Sequence, residues 1–122
     1  MKHQEITQKI IHAFYQVYNQ LGYGFLEKVY EKALMIELQK MGLHCNRQYP
    51  IDVYYDNQIV GKYYADIIVN ELVIIELKAS SGLTIENEAQ LVNYLKATNI
   101  EIGLLLNFGT KAEFKRKIFE NK

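Results

Sequence analysis

Residues 64–78 read YADIIVNELVIIELK, which is two apolar segments separated by the polar pair Asn70-Glu71. Asparagine followed by a second polar residue between apolar runs is typical of a tight turn, so the sequence predicts a β-hairpin here. The second strand is apolar except for Glu76 and Lys78. Side chains two residues apart in a strand point to the same face, so we expect these two charged groups to point together.

The turn also decides where Asp66 lies. If the loop contains two residues, Asp66 lies near Ile75; if it also includes Leu72, Asp66 lies opposite Glu76. In both registers the two carboxylates are about one strand spacing apart, ~5 Å. Such like charges destabilise a sheet unless a cation offsets them, and Mg²⁺ prefers carboxylate and carbonyl oxygens. The alternative is a structural ion pair between Lys78 and either carboxylate.

Hydrophobic periodicity predicts the other elements and an α+β order of helix, helix, three-strand meander, helix, strand. The predicted elements are helices His3–Gln20 and Leu26–Met41, strands Ile51–Tyr55, Ile59–Val69 and Leu72–Lys78, a helix capped by Thr84 and ending near Asn99, and a strand Ile102–Leu106. We expect the last strand to run parallel to the third, through a right-handed crossover. The segment after it is ambiguous, because Phe114 and Ile118 suit a helix whereas Lys117–Phe119 suits an edge strand.

Length and composition predict a single domain spanning residues 1–122. Fourteen basic and fourteen acidic residues give a net charge of zero, which argues against strong non-specific binding to nucleic acid. The lone cysteine, Cys45, excludes an intrachain disulfide and fits a reducing cytoplasm. Residues 1–5 are polar and no apolar run is long enough to cross a bilayer. We therefore expect a cytoplasmic protein without a signal peptide or membrane segment.

The charged strand resembles a known enzyme core. Tyr64-Ala65-Asp66 followed by Glu76-Leu77-Lys78 is similar to the D…E-x-K core of the PD-(D/E)XK nuclease superfamily, although Ala65 replaces the proline that precedes the aspartate. Residues 26–108 are predicted to have the element order of its restriction-endonuclease-like common core, preceded by an extra helix. Residues 24–30 resemble the G-x-x-E-x-x-Y signature of the GxxExxY protein family. Further matches along nearly the whole chain are Arg47-Gln48-Tyr49-Pro50, Val60-Gly61, Ala89-Gln90, Tyr94-Leu95-Lys96-Ala97-Thr98, Gly103-Leu104-Leu105 and Asn107-Phe108-Gly109.

This resemblance implies a metal site. Its ligands would be the carboxylates of Asp66 and Glu76 and the backbone carbonyl of Leu77, and the implied cofactor is Mg²⁺, with Mn²⁺ as a substitute. An acidic residue on the first core helix joins such sites, and Glu27 matches it, although a glutamate in a first helical turn also has a plain macrodipole explanation. Lys78 would lie beside the metal-bound water.

The resemblance also implies substrate contacts. Gln90 and Tyr94 are one turn apart on the third predicted helix and would contact a phosphate or a base of the substrate. The alternative is that they form the polar edge of a packed helix.

The leading functional hypothesis is a Mg²⁺-dependent nuclease that hydrolyses phosphodiester bonds in DNA, or in RNA. Its predicted catalytic residues are Asp66, Glu76, Lys78 and Glu27. One alternative is a catalytically silent or partner-dependent module that binds nucleic acid or protein; another is an enzyme acting on a smaller phosphorylated substrate. A homodimer is expected because one active site cuts one strand per encounter.

Overall fold

The computed structural model describes residues 2–120, which form a five-stranded sheet with helices on both faces. The elements are α1 (Gln4–Leu21), α2 (Glu27–Lys40), β1 (Cys45–Tyr55), β2 (Gln58–Val69), β3 (Val73–Lys78), α3 (Ile85–Lys96), β4 (Ile102–Phe108) and β5 (Ala112–Ile118). The strand order is β1-β2-β3-β4-β5. β3 and β4 are parallel and the other neighbours are antiparallel, which confirms the meander and the parallel pairing of the predicted last strand with the third.

Two strands differ from the prediction by more than two residues or in kind, and the other element ends shift by three residues or fewer. β1 begins at Cys45 rather than Ile51, because an edge strand tolerates Pro50 and has no strict burial alternation to mark it. The ambiguous last segment is the edge strand β5, antiparallel to β4. Its apolar residues Phe114 and Ile118 are four apart, a spacing that puts side chains on one face in a helix and in a strand alike.

The β2–β3 turn fixes the register of the charged strand. Val69 lies opposite Val73, so the loop consists of residues 70–72, two of which have positive φ. Continued along the strands, this register places Asp66 opposite Glu76. Of the two registers that the sequence allowed, the structure therefore has the one with Leu72 in the loop.

Helices α1 and α2 cover one face of the sheet through an aromatic cluster. The ring of Tyr30 stacks on Phe108 at 4.3 Å, and Phe14 meets Phe108 edge-on at 4.9 Å. Tyr30 is fully buried, and its hydroxyl donates to the carbonyl of Gly22 (2.7 Å) and accepts from the amide of Phe25 (3.2 Å). The one side chain therefore fills the core and also fixes the loop that leads into α2.

Helix α3 covers the other face and lies close to the sheet. A Cβ built on Gly103 would be 2.6 Å from a methyl carbon of Leu91, so Leu91 packs directly on the backbone of β4. Thr84 caps the helix as predicted, in a reciprocal pair with Asn87. No helix within residues 2–120 has both the length and the apolar character needed to cross a membrane.

The end of β3 is fastened to the end of β4. The buried amide of Asn107 accepts from the N–H of Ser80 and donates to its carbonyl, both at 3.0 Å. A Cβ on Gly109 would lie 2.1 Å from the Ser80 carbonyl oxygen, so only glycine fits there. These contacts fix the backbone just after Lys78.

Candidate active site

Strands β2 and β3 diverge at the charged residues. Their last regular pair is Ile67 with Ile75. Beyond it, the N–H of Asp66 donates to Oε2 of Glu76 (2.8 Å), and the N–H of Leu77 donates to Oδ2 of Asp66 (2.7 Å). The two carboxylates thus accept the hydrogen bonds that backbone carbonyls would accept if the antiparallel pairing of β2 and β3 continued. We call this opening between the strands the fork.

The backbone around Asp66 rotates to allow this arrangement. Ala65 packs in the core beneath α3, whereas Ile67 packs in the core beneath α1 and α2. In a regular strand these two side chains share a face. On the neighbouring strand, Gln48 has a φ of 53° and interrupts the β1–β2 pairing opposite Asp66. The local twist turns the Asp66 side chain toward the fork.

The oxygens at the fork form a donor set suited to a hard cation. An extended residue directs its N–H and C=O to the same neighbouring strand, so the carbonyl of Leu77 faces the fork as its N–H does. The second oxygen of each carboxylate, on Asp66 and on Glu76, accepts no hydrogen bond from residues 2–120. Carboxylate and carbonyl oxygens of this kind fit Mg²⁺ or Mn²⁺.

The electrostatics of the fork support the same fit. Burial, and next the negative charge of Asp66, raise the pKa of Glu76 to about 8. Burial is also the main cause of the raised pKa of Asp66, to which Glu31 and Glu27 add. A half-buried and a buried carboxyl group therefore lie together, and the ammonium of Lys78 offsets their negative charge only in part. A divalent cation would supply the missing positive charge.

Lys78 is half-buried at the end of β3. Within residues 2–120 it forms no ion pair or hydrogen bond, although its charge lowers the pKa values of Asp66 and Glu76. The alternative prediction of a structural ion pair with either carboxylate is therefore wrong. Its ammonium is free to contact a ligand at the fork.

Glu27 lies in the first turn of α2, across a pocket of about 360 Å³ that Asp66 and Leu77 also line. Its side chain is exposed. In the described part of the chain, no three acidic, histidine or cysteine side chains converge closely enough to hold a metal. Water is the usual way in which Mg²⁺ completes such a shell, and the place of Glu27 among the ligands stays a prediction.

Glu31, one turn after Glu27, is the residue that the sequence reasoning missed. It is buried, and its carboxylate accepts from Nε of Arg47 (2.5 Å) and from the amide nitrogen of Gln48 (3.0 Å). The three side chains line the same pocket as Asp66. The i, i+4 spacing from Glu27 was the available signal, because it puts both glutamates on one face of α2.

Gln90 and Tyr94 lie on the other side of the fork, on α3. The amide nitrogen of Gln90 donates to the Tyr94 hydroxyl at 3.0 Å. Tyr94 packs in the same buried cluster as Ala65, the residue before Asp66, so it is a neighbour of the fork. Burial, and next the charge of Glu76, raise the pKa of Tyr94 to about 12. The structure thus brings Asp66, Glu76 and Leu77 together, with Glu27 on one side and the α3 pair on the other.

Comparisons with known proteins agree with this architecture. A family profile described as the PD-(D/E)XK nuclease superfamily matches residues 4–117. The solved structure of SSO0001 superposes with a TM-score of 0.61 at 17% identity, over 79% of this chain and 52% of that one. This chain therefore spans about half the length of SSO0001. The alkaline exonuclease LHK-Exo from Laribacter hongkongensis gives 0.57 at 11% identity, over 98% and 72% of the two chains.

No curated protein sequence matches the chain. At the identities above, the structural likeness establishes the fold, which is the restriction-endonuclease-like core expected from the sequence. Nucleases with this core generally use divalent metal ions. Because the profile covers almost the whole length and the fold agrees with it, the chain belongs to the PD-(D/E)XK nuclease superfamily.

Proposed function

We propose that this protein is a Mg²⁺-dependent nuclease that hydrolyses phosphodiester bonds in DNA. The observation that carries the proposal is the fork, where the half-buried carboxylate of Asp66, the buried carboxylate of Glu76 and a backbone carbonyl face one opening. Asp66, Glu76 and the carbonyl of Leu77 would hold the metal, which Mn²⁺ can replace, and Glu27 would approach it through the α2 pocket.

The protein's own contribution is to fix these groups before substrate arrives. When bound, the cation polarises the scissile phosphate and lowers the pKa of a water molecule. Backbone N–H groups hold one oxygen of Asp66 and one of Glu76, so each carboxylate keeps a single orientation. Lys78 would stabilise the negative charge that develops on the phosphate, since no side chain in residues 2–120 competes for its ammonium.

Metal-dependent cleavage of mixed DNA and RNA substrates tests the proposal. We expect cutting in Mg²⁺ or Mn²⁺ that Glu76→Gln and Lys78→Ala each reduce at least 100-fold. The matched control is Lys32→Ala, which removes an exposed lysine on α2 and should cut normally. Absence of cleavage by a folded wild-type protein that binds metal in calorimetry would contradict the proposal.

A binding module on the nuclease fold is the second candidate, silent on its own or dependent on a partner. The net charge of zero favours it, because a nuclease that holds nucleic acid unaided is usually basic. This candidate predicts that Lys78→Ala binds nucleic acid or the partner as wild type does and that no metal-dependent cutting accompanies binding. Cleavage that Lys78→Ala abolishes, with binding kept, excludes it.

We propose the finer assignment to the GxxExxY family, whose signature resembles residues 24–30 and whose further matches run along nearly the whole chain. Each signature residue has a distinct place here: Gly24 has a φ of 110°, Glu27 lines the α2 pocket and Tyr30 anchors the loop between them. We further propose one cytoplasmic domain that forms a homodimer, since one active site cuts one strand per encounter. A monomeric mass in light scattering at working concentration would contradict the dimer.

A further inference from the structure

A second and larger pocket, of about 940 Å³, lies between α3 and the outer part of the β1–β2 hairpin. We call it the hairpin pocket. Its volume is near the upper end of the range for small-molecule sites, about 300–1,000 Å³. Gln90 and Tyr94 form its inner wall, and Tyr63 and Tyr54 contribute from the hairpin. None of the residues proposed to hold the metal lines the hairpin pocket.

Tyr63 forms a flat platform in this pocket. A Cβ on Gly61 would lie 3.1 Å from Cε2 of Tyr63, so the tyrosine ring lies down over the glycine backbone. The Tyr94 ring supports it from the side, with the ring centres 5.7 Å apart and tilted by 45°. Tyr63 is nevertheless 47% exposed. Its ring is therefore held in one orientation with a face open to a planar ligand.

The pocket walls are polar but not basic. Within residues 2–120 the amide of Asn93 makes no side-chain hydrogen bond, and Gln90 uses only its nitrogen, toward Tyr94. Both leave amide groups able to pair with the edge of a heterocycle. The charged residues of the lining are Asp52, Glu86 and Lys96. Their sum is one negative charge, which repels a phosphate and tolerates an uncharged ring.

The hairpin pocket adjoins the fork, because Tyr94 lines the pocket and packs in the same buried cluster as Ala65, the residue before Asp66. A ring stacked there would belong to a nucleotide close to the scissile phosphate. We propose that the hairpin pocket binds an unpaired nucleobase of the substrate, stacked on Tyr63. A base inside a duplex is covered by its neighbours on both faces, so single-stranded or locally unwound DNA is the substrate class that follows. This inference rests on the proposed nuclease function.

Binding of a 12-nucleotide single-stranded DNA, measured by fluorescence anisotropy with Ca²⁺ in place of Mg²⁺, tests the inference. Recovery of intact oligonucleotide afterwards checks that no cleavage occurred. Stacking on one aromatic ring is worth about 1–3 kcal/mol, so Tyr63→Ala should weaken binding roughly 5- to 150-fold. Tyr63→Phe keeps the ring and should bind as wild type does. The matched control, Tyr55→Ala, removes a more exposed tyrosine (77%) outside the pocket and should leave binding unchanged.

A scan of abasic sites along the oligonucleotide identifies the stacked base. At one position, loss of the base should weaken wild-type binding as much as Tyr63→Ala does, and the two changes together should cost no more than either alone. A duplex of the same sequence should bind more weakly. Equal losses in Tyr63→Ala and Tyr55→Ala, additive losses at every position, or no measurable binding would each overturn the inference.

The outcomes separate this inference from the nuclease proposal. Cleavage that depends on Glu76, without coupling between Tyr63 and any base, would support the nuclease proposal and contradict base binding in the hairpin pocket. Coupling between Tyr63 and one base, without cleavage of any substrate, would support base binding in the hairpin pocket and contradict the nuclease proposal.

Discussion

The metal-free protein should lose stability as the pH rises from about 4.5 to 8, and Glu76 is the main cause. Its pKa is raised from 4.5 to about 8 in the folded state. In this window the folded protein keeps a proton on Glu76 that the unfolded chain releases, so unfolding becomes easier as pH rises. The raised pKa of Asp66 acts in the same direction. Below pH 4.5 the Glu76 contribution is fully present; above pH 8 it is lost.

The size of the effect follows from the two pKa values. Each pH unit between 4.5 and about 8 is worth about 1.36 kcal/mol, which sets a limit of roughly 5 kcal/mol. We expect an observed loss of about 3–5 kcal/mol, a large part of the total stability of a small domain, about 5–15 kcal/mol. Saturating Mg²⁺ should reverse the loss most strongly at high pH, because only the ionised carboxylates bind the cation.

Urea unfolding in EDTA at intervals between pH 5 and pH 9 measures this dependence. Glu76→Gln retains an oxygen acceptor for the Asp66 N–H but cannot titrate, so its unfolding free energy should vary much less with pH. Glu86→Gln, which alters an exposed glutamate on α3, should keep the wild-type slope. A wild-type stability that is flat or rises between pH 5 and 8 would refute the reasoning. So would a Glu76→Gln variant with the full slope.

Three further substitutions test the packing around the site. Asp66→Ala leaves the Leu77 N–H without its acceptor and should cost about 1–3 kcal/mol in urea unfolding, whereas Asp66→Asn, which keeps an oxygen, should cost less. Tyr30→Phe keeps the stacked ring but loses the two hydroxyl hydrogen bonds, so we expect the free energy of unfolding, measured by thermal unfolding, to fall by about 1 kcal/mol. A change below about 0.3 kcal/mol would contradict the anchoring role of the hydroxyl. Gly109→Ala places a Cβ against the Ser80 carbonyl and should lower the unfolding free energy by at least 1–3 kcal/mol, while Gly82→Ala, where the nearest atom is 3.8 Å away, should cost less.

The sequence predicted the fork region to the extent that local rules determine it. Alternation and turn chemistry placed Asp66 near Glu76, but left two registers open because they do not decide whether Leu72 belongs to the loop. The rotation at Asp66 lies opposite Gln48, whose positive φ interrupts the neighbouring strand, and no local pattern around Asp66 reports that irregularity. The strands therefore could be predicted, whereas the bonding of the carboxylates could not.

The remaining differences have similar causes. β5 was ambiguous because a spacing of four satisfies both periods, and only pairing with β4 decides between them. The sequence pattern did not distinguish Glu31 from other helical glutamates, because its partners, Arg47 and Gln48, come from β1. Such features arise from contacts between elements that are distant along the chain.

Asp66 and Glu76 accept hydrogen bonds from backbone amides at the point where β2 and β3 separate, so they have a structural role that related chains would share. A relative without catalytic activity would still need an acceptor at each position to keep the backbone amides paired. Retention of these acids would then record the architecture of the sheet rather than turnover. Lys78 makes no hydrogen bond or ion pair within residues 2–120 and so has no structural role of this kind. Its replacement in a relative would therefore be the more informative sign that the relative lacks nuclease activity.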